Sequence, residues 1–443
     1  MITRFSAVAK SQLARNIAAL YGVHLVNYLL PLVTVGYLSR ILGPEGWGEL
    51  AVAQGIALCI ATFVEYGFNL SATREVARYR SDKERMRSLL AGVFGAKILL
   101  VIVAAGVTSV LLPLFPLLHG KSEFVWLAVI WGAAQGCTAL WFLQGYERLG
   151  KISLFEIAVK VLVVVFICLL VRSRQDNWLV LSLYAAGAIV ATGVSVALAV
   201  KEVGFSMPLR SNTWHALRLG WSMFLYRGSA TLYTTANIFV LGLMASSQAV
   251  GYYAGAEKIG RSPLNLIWPF SYALYPKIAN VAHDSKQSTR RLEQFSLAVL
   301  GSAGVVMGLG IYFLAPVLVR VLLGPSFAPA VPTLQVLAAL CPLVAVNTFI
   351  AMHCLLPAGL DRALISVTFL SGLASLSLAA LLAPRFGSVG MAWAVTAAEV
   401  FVLIGLCVSF LRVRRRRADS TLNSEPPARA ADRNTEAVAV THI

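Results

Sequence analysis

Leu89-Leu-Ala-Gly-Val-Phe-Gly-Ala-Lys97-Ile-Leu-Leu-Val-Ile-Val-Ala-Ala-Gly-Val-Thr-Ser-Val-Leu-Leu-Pro113 carries one ionisable side chain in 25 residues. Wound as a helix at 1.5 Å per residue it is about 37 Å long, enough to cross a hydrocarbon core of roughly 30 Å. Runs of the same kind lie at 17–38, 48–70, 124–144, 153–171 and 177–200. After a polar break they resume at 217–243, 249–272, 294–322, 330–355, 363–384 and 389–411. Together they give an all-α polytopic membrane protein with about twelve spanning helices.

Composition agrees. The chain is 58% hydrophobic and 13% charged, with a mean hydropathy of +0.75, whereas a soluble domain has roughly a quarter of its residues charged. Twelve spans use about 240 residues and leave only short connections. The two halves are 17–200 and 217–411, joined by a cytoplasmic linker over 201–216. An amphipathic lead over 1–16 precedes them and a basic tail over 412–443 follows.

The formal charge of +17 does not point to nucleic acid, because it is spread through alternate connections. With the N-terminus cytoplasmic, 26 of the 37 Lys and Arg fall inside, six outside and five within spans. Such asymmetry marks an inner-membrane protein with both ends cytoplasmic. Arg412 to Arg417 would anchor anionic lipid, and the polar tail behind them is expected to be disordered. The six cysteines all sit in apolar runs without metal-site or disulfide spacing, as small packing residues do. The run behind Met1–Asn16 is too long for a cleavable signal.

The halves share a pattern. Gly48-Glu-Leu-Ala51-Val-Ala53-Gln-Gly-Ile56 matches Gly251-Tyr-Tyr-Ala254-Gly-Ala256-Glu-Lys-Ile259 at Gly, Ala, Ala and Ile, at a constant offset of 203. Leu38 and Leu241 match at the same offset. Duplicated bundles are common in transporters, and small residues let helices approach closely.

Arg40-Ile-Leu-Gly43-Pro44-Glu-Gly-Trp-Gly48 resembles the turn after the first span of Wzx-type oligosaccharide flippases. These form the polysaccharide transporter branch of the multidrug/oligosaccharidyl-lipid/polysaccharide superfamily. Glu65-Tyr-Gly67 through Thr73-Arg74-Glu75-Val-Ala77-Arg78 resembles that family's second-helix end, and Trp141-Phe-Leu-Gln144-Gly145-Tyr-Glu147 its fourth. Leu241-Gly242, Val250-Gly251-Tyr252-Tyr253-Ala254, Glu257-Lys258-Ile259 and Tyr275-Pro276 resemble the seventh and eighth. The chain departs from the family at Asn237-Ile238, where an acid and a base are frequent. The resemblance implies two six-helix lobes around a central cavity lined by helices one, two, seven and eight. It implies a cargo of undecaprenyl-diphosphate-linked oligosaccharide, moved to the periplasmic leaflet. The pathway's polymerase and chain-length regulator are the protein partners in view.

Flipping makes no bond, so neither catalytic group nor cofactor is needed; the energy source would be a proton or sodium gradient. The carrier must offer cations in a wet cavity, which makes ionisable residues within spans the first candidates. Arg227 lies about 15 Å into the seventh span at 1.5 Å per residue, with Thr231 and Thr234 following on its face. An Arg there can clamp a phosphate bidentately, or pair with an acid on another helix. Lys258 shares a face of the eighth span with Arg261 and Asn265. Glu257 is spaced to pair with Arg261, which leaves Lys258 locally unmatched.

Lys97 has no local acid, whereas Glu156 precedes Lys160 in the order that favours a structural pair. On the first span His24, Asn27 and Pro31 recur at helical spacing: His24 can titrate or simply pack, and Pro31 can loosen the helix. Glu65 is placed either to pair with a cavity cation or to carry a coupling proton. Glu399 is expected to be a structural partner. A cation-coupled drug or metabolite antiporter of the same superfamily is the nearest rival. A polymerase or glycosyltransferase would need larger outside loops, and a bare scaffold would need no charges at mid-depth.

Overall fold

Glycine sets where the longest helical runs turn. The computed structural model describes residues 2–112, 120, 122–147, 149–266, 286–356 and 360–422; side chains before Leu30 and most of those over 226–236 are outside the description. Within Ile2–Glu65, Gly43 adopts φ 67° and ψ 179°, a conformation that costs glycine little and other residues much. Pro44 then opens the next helix, where its missing N–H leaves no bond unmade. Gly387, with φ 55°, divides Asp361–Leu422 in the same way.

The chain folds as twelve spanning helices in two six-helix lobes. Spans one and two are 2–42 and 44–65, and span two resumes as Phe68–Tyr79. Span three is Lys83–Leu111, capped by the Asp82 carboxylate, which accepts from the Arg85 N–H at 3.0 Å. Span four is Ser122–Gly136 followed by Leu140–Gly145. Spans five and six are Leu149–Leu170 and Asn177–Val203. Span seven is Arg210–Met244, and span eight is Ser247–Arg261 with a tight turn over Ser262–Leu266. Span nine is Lys286–Leu318, ending in a wide turn at Val319–Leu323. Span ten joins Val331–Leu337, Leu340–Phe349 and a wide turn at Ile350–Leu355. Spans eleven and twelve are 361–386 and 388–422. The continuation of span eight over 267–272 and the tail past 422 lie outside the described residues.

Spans two, four and ten differ from the unbroken helices their hydropathy predicts, and in spans two and four side chains from other spans hold the break. Span two breaks at Tyr66 and Gly67, both with positive φ. The Tyr66 ring stacks on Phe224 of span seven at 4.6 Å between centroids and touches Phe68, contacts that hold a conformation unusual for an aromatic residue. Span four opens at 137–139. There the Ala139 N–H donates to Ser195 Oγ at 3.1 Å, and the Thr138 carbonyl accepts from Lys97 Nζ at 2.7 Å. Distant side chains thus satisfy backbone groups that the helix has released, as apolar surroundings require.

The repeated glycines meet. A methyl on Gly48 would overlap the Ser247 carbonyl, and one on Gly251 would overlap the Pro44 carbonyl. Subtracting 203 from Ser247 and Gly251 gives 44 and 48, so the two contacts are one contact seen from both repeats. Nearby, Ser39 Oγ donates to the Leu323 carbonyl at 3.0 Å, and Arg40 donates to the Val321 carbonyl. These bonds fasten span one to the wide turn of span nine. At the opposite end of the bundle the lobes meet through Gly92 and Gly95 of span three, set against Asn212 and Thr213.

Candidate functional site

One face of span two carries Trp47, Gln54 and Glu65, spaced seven and eleven residues apart, which brings each back to nearly the same angle on a helix. Asn69 follows just past the break. These residues form one wall of a cavity of about 550 Å³ inside the N-lobe. Spans one, four, five and six close it with Thr34, Gln135 and Thr138, Glu156 and Lys160, and Tyr184 and Thr192. Trp131 stacks on Tyr184 at 4.8 Å with 12° between the ring planes, a rigid aromatic corner. Gly187 keeps span six close to span five, where a side chain would meet Val163.

Among the described residues, one from the C-lobe reaches this space. Lys258 Nζ donates to Gln54 Oε1 at 3.0 Å and lies 5.1 Å from the centre of the Trp47 ring, within cation–π range. Its neighbour Glu257 is engaged elsewhere, accepting from Arg261 Nε at 2.9 Å and from the Tyr253 hydroxyl at 3.3 Å. Lys258 is therefore bonded to a neutral amide and set against an aromatic face, with the Glu257 charge acting on it without a direct bond, and an incoming anion can displace the amide. Glu156 and Lys160, one turn apart, both line the cavity and act on each other's charge.

The profile of the family described as "Polysaccharide biosynthesis protein" matches residues 13–282, more than half of the chain. The chain belongs to that family. A proposed O-antigen transporter of Escherichia coli (strain K12) is 27% identical over 405 residues, covering 91% of this chain and 97% of the relative. A proposed O-antigen transporter of Shigella dysenteriae is 25% identical over 395 residues, covering 88% and 98%. Among solved structures, the lipid II flippase MurJ in an inward closed conformation superposes with a TM-score of 0.67 at 13% identity, covering 88% of this chain and 86% of MurJ. An inward-facing multidrug resistance MATE transporter of the MOP superfamily also scores 0.67, at 16% identity and coverages of 89% and 96%. Both show the shared fold.

The residues that residue type singles out distribute unevenly. Lys258, Glu65 and Pro31 line the cavity. Arg261 is set aside in its pair with Glu257. Lys97 is buried behind the wall at 1% exposure, with its ammonium on the break in span four and Glu65 close enough to act on its charge. Arg227 is the middle residue of the Arg210–Met244 helix, with Thr231 and Thr234 on the turns after it. The side chains of Arg227, Thr231, Thr234, Asn265, His24 and Asn27 lie outside the described residues. Glu399 is buried against Asn347, whose Nδ2 donates to its carboxylate at 2.9 Å. Asn237, at the family's acid position, accepts from Ser375 Oγ at 3.3 Å. Residue type alone passed over Gln54, Asn69, Gln135, Trp131 and Tyr184. Gln54 stood inside the repeated motif, and Trp131, Gln135 and Thr138 recur at helical spacing, the signals that would have found them.

Proposed function

We propose that this chain is a flippase, not an enzyme, that moves an undecaprenyl-diphosphate-linked oligosaccharide from the cytoplasmic to the periplasmic leaflet of a bacterial inner membrane, with both termini cytoplasmic. The observation that carries this reading is Lys258, a C-lobe cation set into an N-lobe cavity on a neutral partner. The relatives described as O-antigen transporters support it. An unpaired charge in hydrocarbon is expensive, and a charged ammonium makes stronger bonds to a phosphate than to an amide. A diphosphate would replace Gln54 as its partner, and separating the lobes would then carry the anion with one of them. Arg227 is proposed as a second phosphate contact, with Thr231, Thr234 and Asn265 along its path. Coupling to a proton or sodium gradient would fall to Glu65, with His24, Asn27 and Pro31 on the adjoining helix. Anionic lipid would be held by the Arg run at 412–417, and the pathway's polymerase and chain-length regulator would receive the cargo.

A cation-coupled drug or metabolite antiporter is the second reading, because Glu65 and Glu156 put two carboxylates around one cavity. The deciding experiment uses a strain lacking the gene, in which the leaflet holding the lipid-linked oligosaccharide is read with a lectin confined to the periplasmic face. The expected result is a cytoplasm-facing lipid, restored to the periplasmic face by the wild type and not by Lys258→Ala or Arg227→Ala. Normal periplasmic exposure in the deletion strain would move the antiporter reading to the front.

A further inference from the structure

Resting on the flippase reading, we infer that the N-lobe cavity is where the first sugars of the cargo sit, while the diphosphate stays at Lys258 on its edge. Three observations carry this assignment.

The first is charge. The wall bears two carboxylates, Glu65 and Glu156, and two ammoniums, Lys160 and Lys258. Their formal charges cancel, so the space as a whole favours neither an anion nor a cation. The second is chemistry. Gln54, Asn69, Gln135, Thr138 and Thr192 offer amides and hydroxyls beside the Trp131–Tyr184 corner. A sugar ring presents the complementary surface, a face of C–H groups and a rim of hydroxyls. At about 550 Å³ the cavity is in the range of small-molecule sites and far larger than an ion needs. The third is polar groups left over. Trp47 Nε1 and Asn69 Oδ1 have no hydrogen-bond partner among the described residues, although Trp47 is only 1% exposed. Buried polar atoms are nearly always bonded, and an exception calls for a missing partner. A hydroxylated ligand supplies both a donor and an acceptor once a small rotation of either side chain turns its sealed atom to the cavity.

The test compares two lipids on the purified full chain in nanodiscs: undecaprenyl diphosphate without sugar, and the undecaprenyl-diphosphate-linked oligosaccharide extracted from the deletion strain. The wild type should bind the glycosylated lipid at least about tenfold more tightly, the gain of one or two net hydrogen bonds. Gln135→Leu, at an exposed cavity position, and Trp131→Ala should each bring the glycosylated lipid's affinity down toward that of the bare one. Lys258→Ala should weaken both lipids by a similar factor. Gly310→Ala, with nothing within 4 Å of the added carbon, serves as the folded control. Equal binding of the two lipids by the wild type, or an undiminished preference in both Gln135→Leu and Trp131→Ala, overturns the sugar site and leaves flipping standing. If the wild type binds neither lipid, the sugar site falls together with the flippase reading.

Discussion

Span four and span ten hold the same place in the two lobes, yet the face that span four turns to a polar cavity is packed with leucine in span ten. In the N-lobe, Gly132 of span four lets the helix lie against the backbone of Ala57 on span two. In the C-lobe the matching contact is Leu337 of span ten against Gly260 of span eight, so the glycine has changed sides. Counting on from that contact, Gln135 corresponds to Leu340 and Thr138 to Leu343. Leu334, Leu337 and Leu340 are all but fully buried, while Gln135 faces open space. One packing solution, a glycine against a helix, therefore serves both lobes. What differs is where the bulk goes: the N-lobe keeps a polar cavity at this contact, while the other side of span ten lines an apolar groove of about 570 Å³ with spans nine and twelve.

The largest effect should come from taking bulk out of the filled lobe. Leu334→Ala leaves a hole where the side chain is 0% exposed, and deletions of this kind cost about 2–5 kcal/mol. Gln135→Ala on the wall should stay within about 0.5 kcal/mol, as substitutions outside a packed core usually do, while lowering transport. Thermal unfolding of the purified variants, set beside complementation of the deletion strain, reads both quantities. Similar melting temperatures for the two variants would end the contrast between core and wall.

The glycines sharpen it further. A methyl on Gly132 would overlap the Ala57 carbonyl, and forcing spans two and four apart should cost about 1–3 kcal/mol. On Gly260 the added carbon would sit 3.4 Å from Leu337 Cβ, a contact that a slight shift accommodates. Gly260→Ala should then be neutral, or stabilising by up to about 1 kcal/mol through helix propensity. Melting temperatures moving in opposite directions would support the swapped seam; equal losses would show that the two contacts are not counterparts.

The spans were legible because hydropathy alone places a helix in a bilayer, and the lobes because small residues recur at a fixed offset where two backbones touch. The breaks were not. Cys137-Thr138-Ala139 contains neither glycine nor proline, and its opening depends on Lys97 and Ser195 arriving from spans three and six. Tyr66 takes a positive φ because Phe224 of the other lobe stacks on it. The site divides in the same way. Lys258 was visible as an ionisable group in an apolar run. Gln54, Gln135 and Tyr184 are ordinary residues for a spanning helix, and only tertiary packing brings them to one cavity. Glu156 and Lys160 have the spacing of a structural pair, yet they line the cavity because span five turns that face inward.

The smallest predicted effect lies at the hairpin ends, where the lobes differ again. Spans eleven and twelve turn at the single residue Gly387, which has nothing to titrate. Spans five and six turn through Arg172 to Asp176, and the Asp176 carboxylate accepts from the N–H groups of Arg172 and Ser173 at 2.8 Å each. Those two backbone bonds, Arg172 foremost, hold its pKa below the ordinary value of 3.8. A carboxyl whose folded pKa is depressed contributes its stability above the unfolded pKa and loses it as pH falls through the folded one. The turn should therefore be firm above about pH 5 and loosen progressively below about pH 4. Asn177 Nδ2 donates to the Gly46 carbonyl at 3.0 Å, so loosening should pass to the turn between spans one and two. Hydrogen exchange across 172–177 and 43–46 should quicken together on acidification, with Asp176→Asn removing the pH dependence of both. Exchange over 172–177 that ignores pH in the wild type would mean that the carboxylate does not hold the turn. If 43–46 alone stayed slow, the Asn177 bond would not couple the two turns.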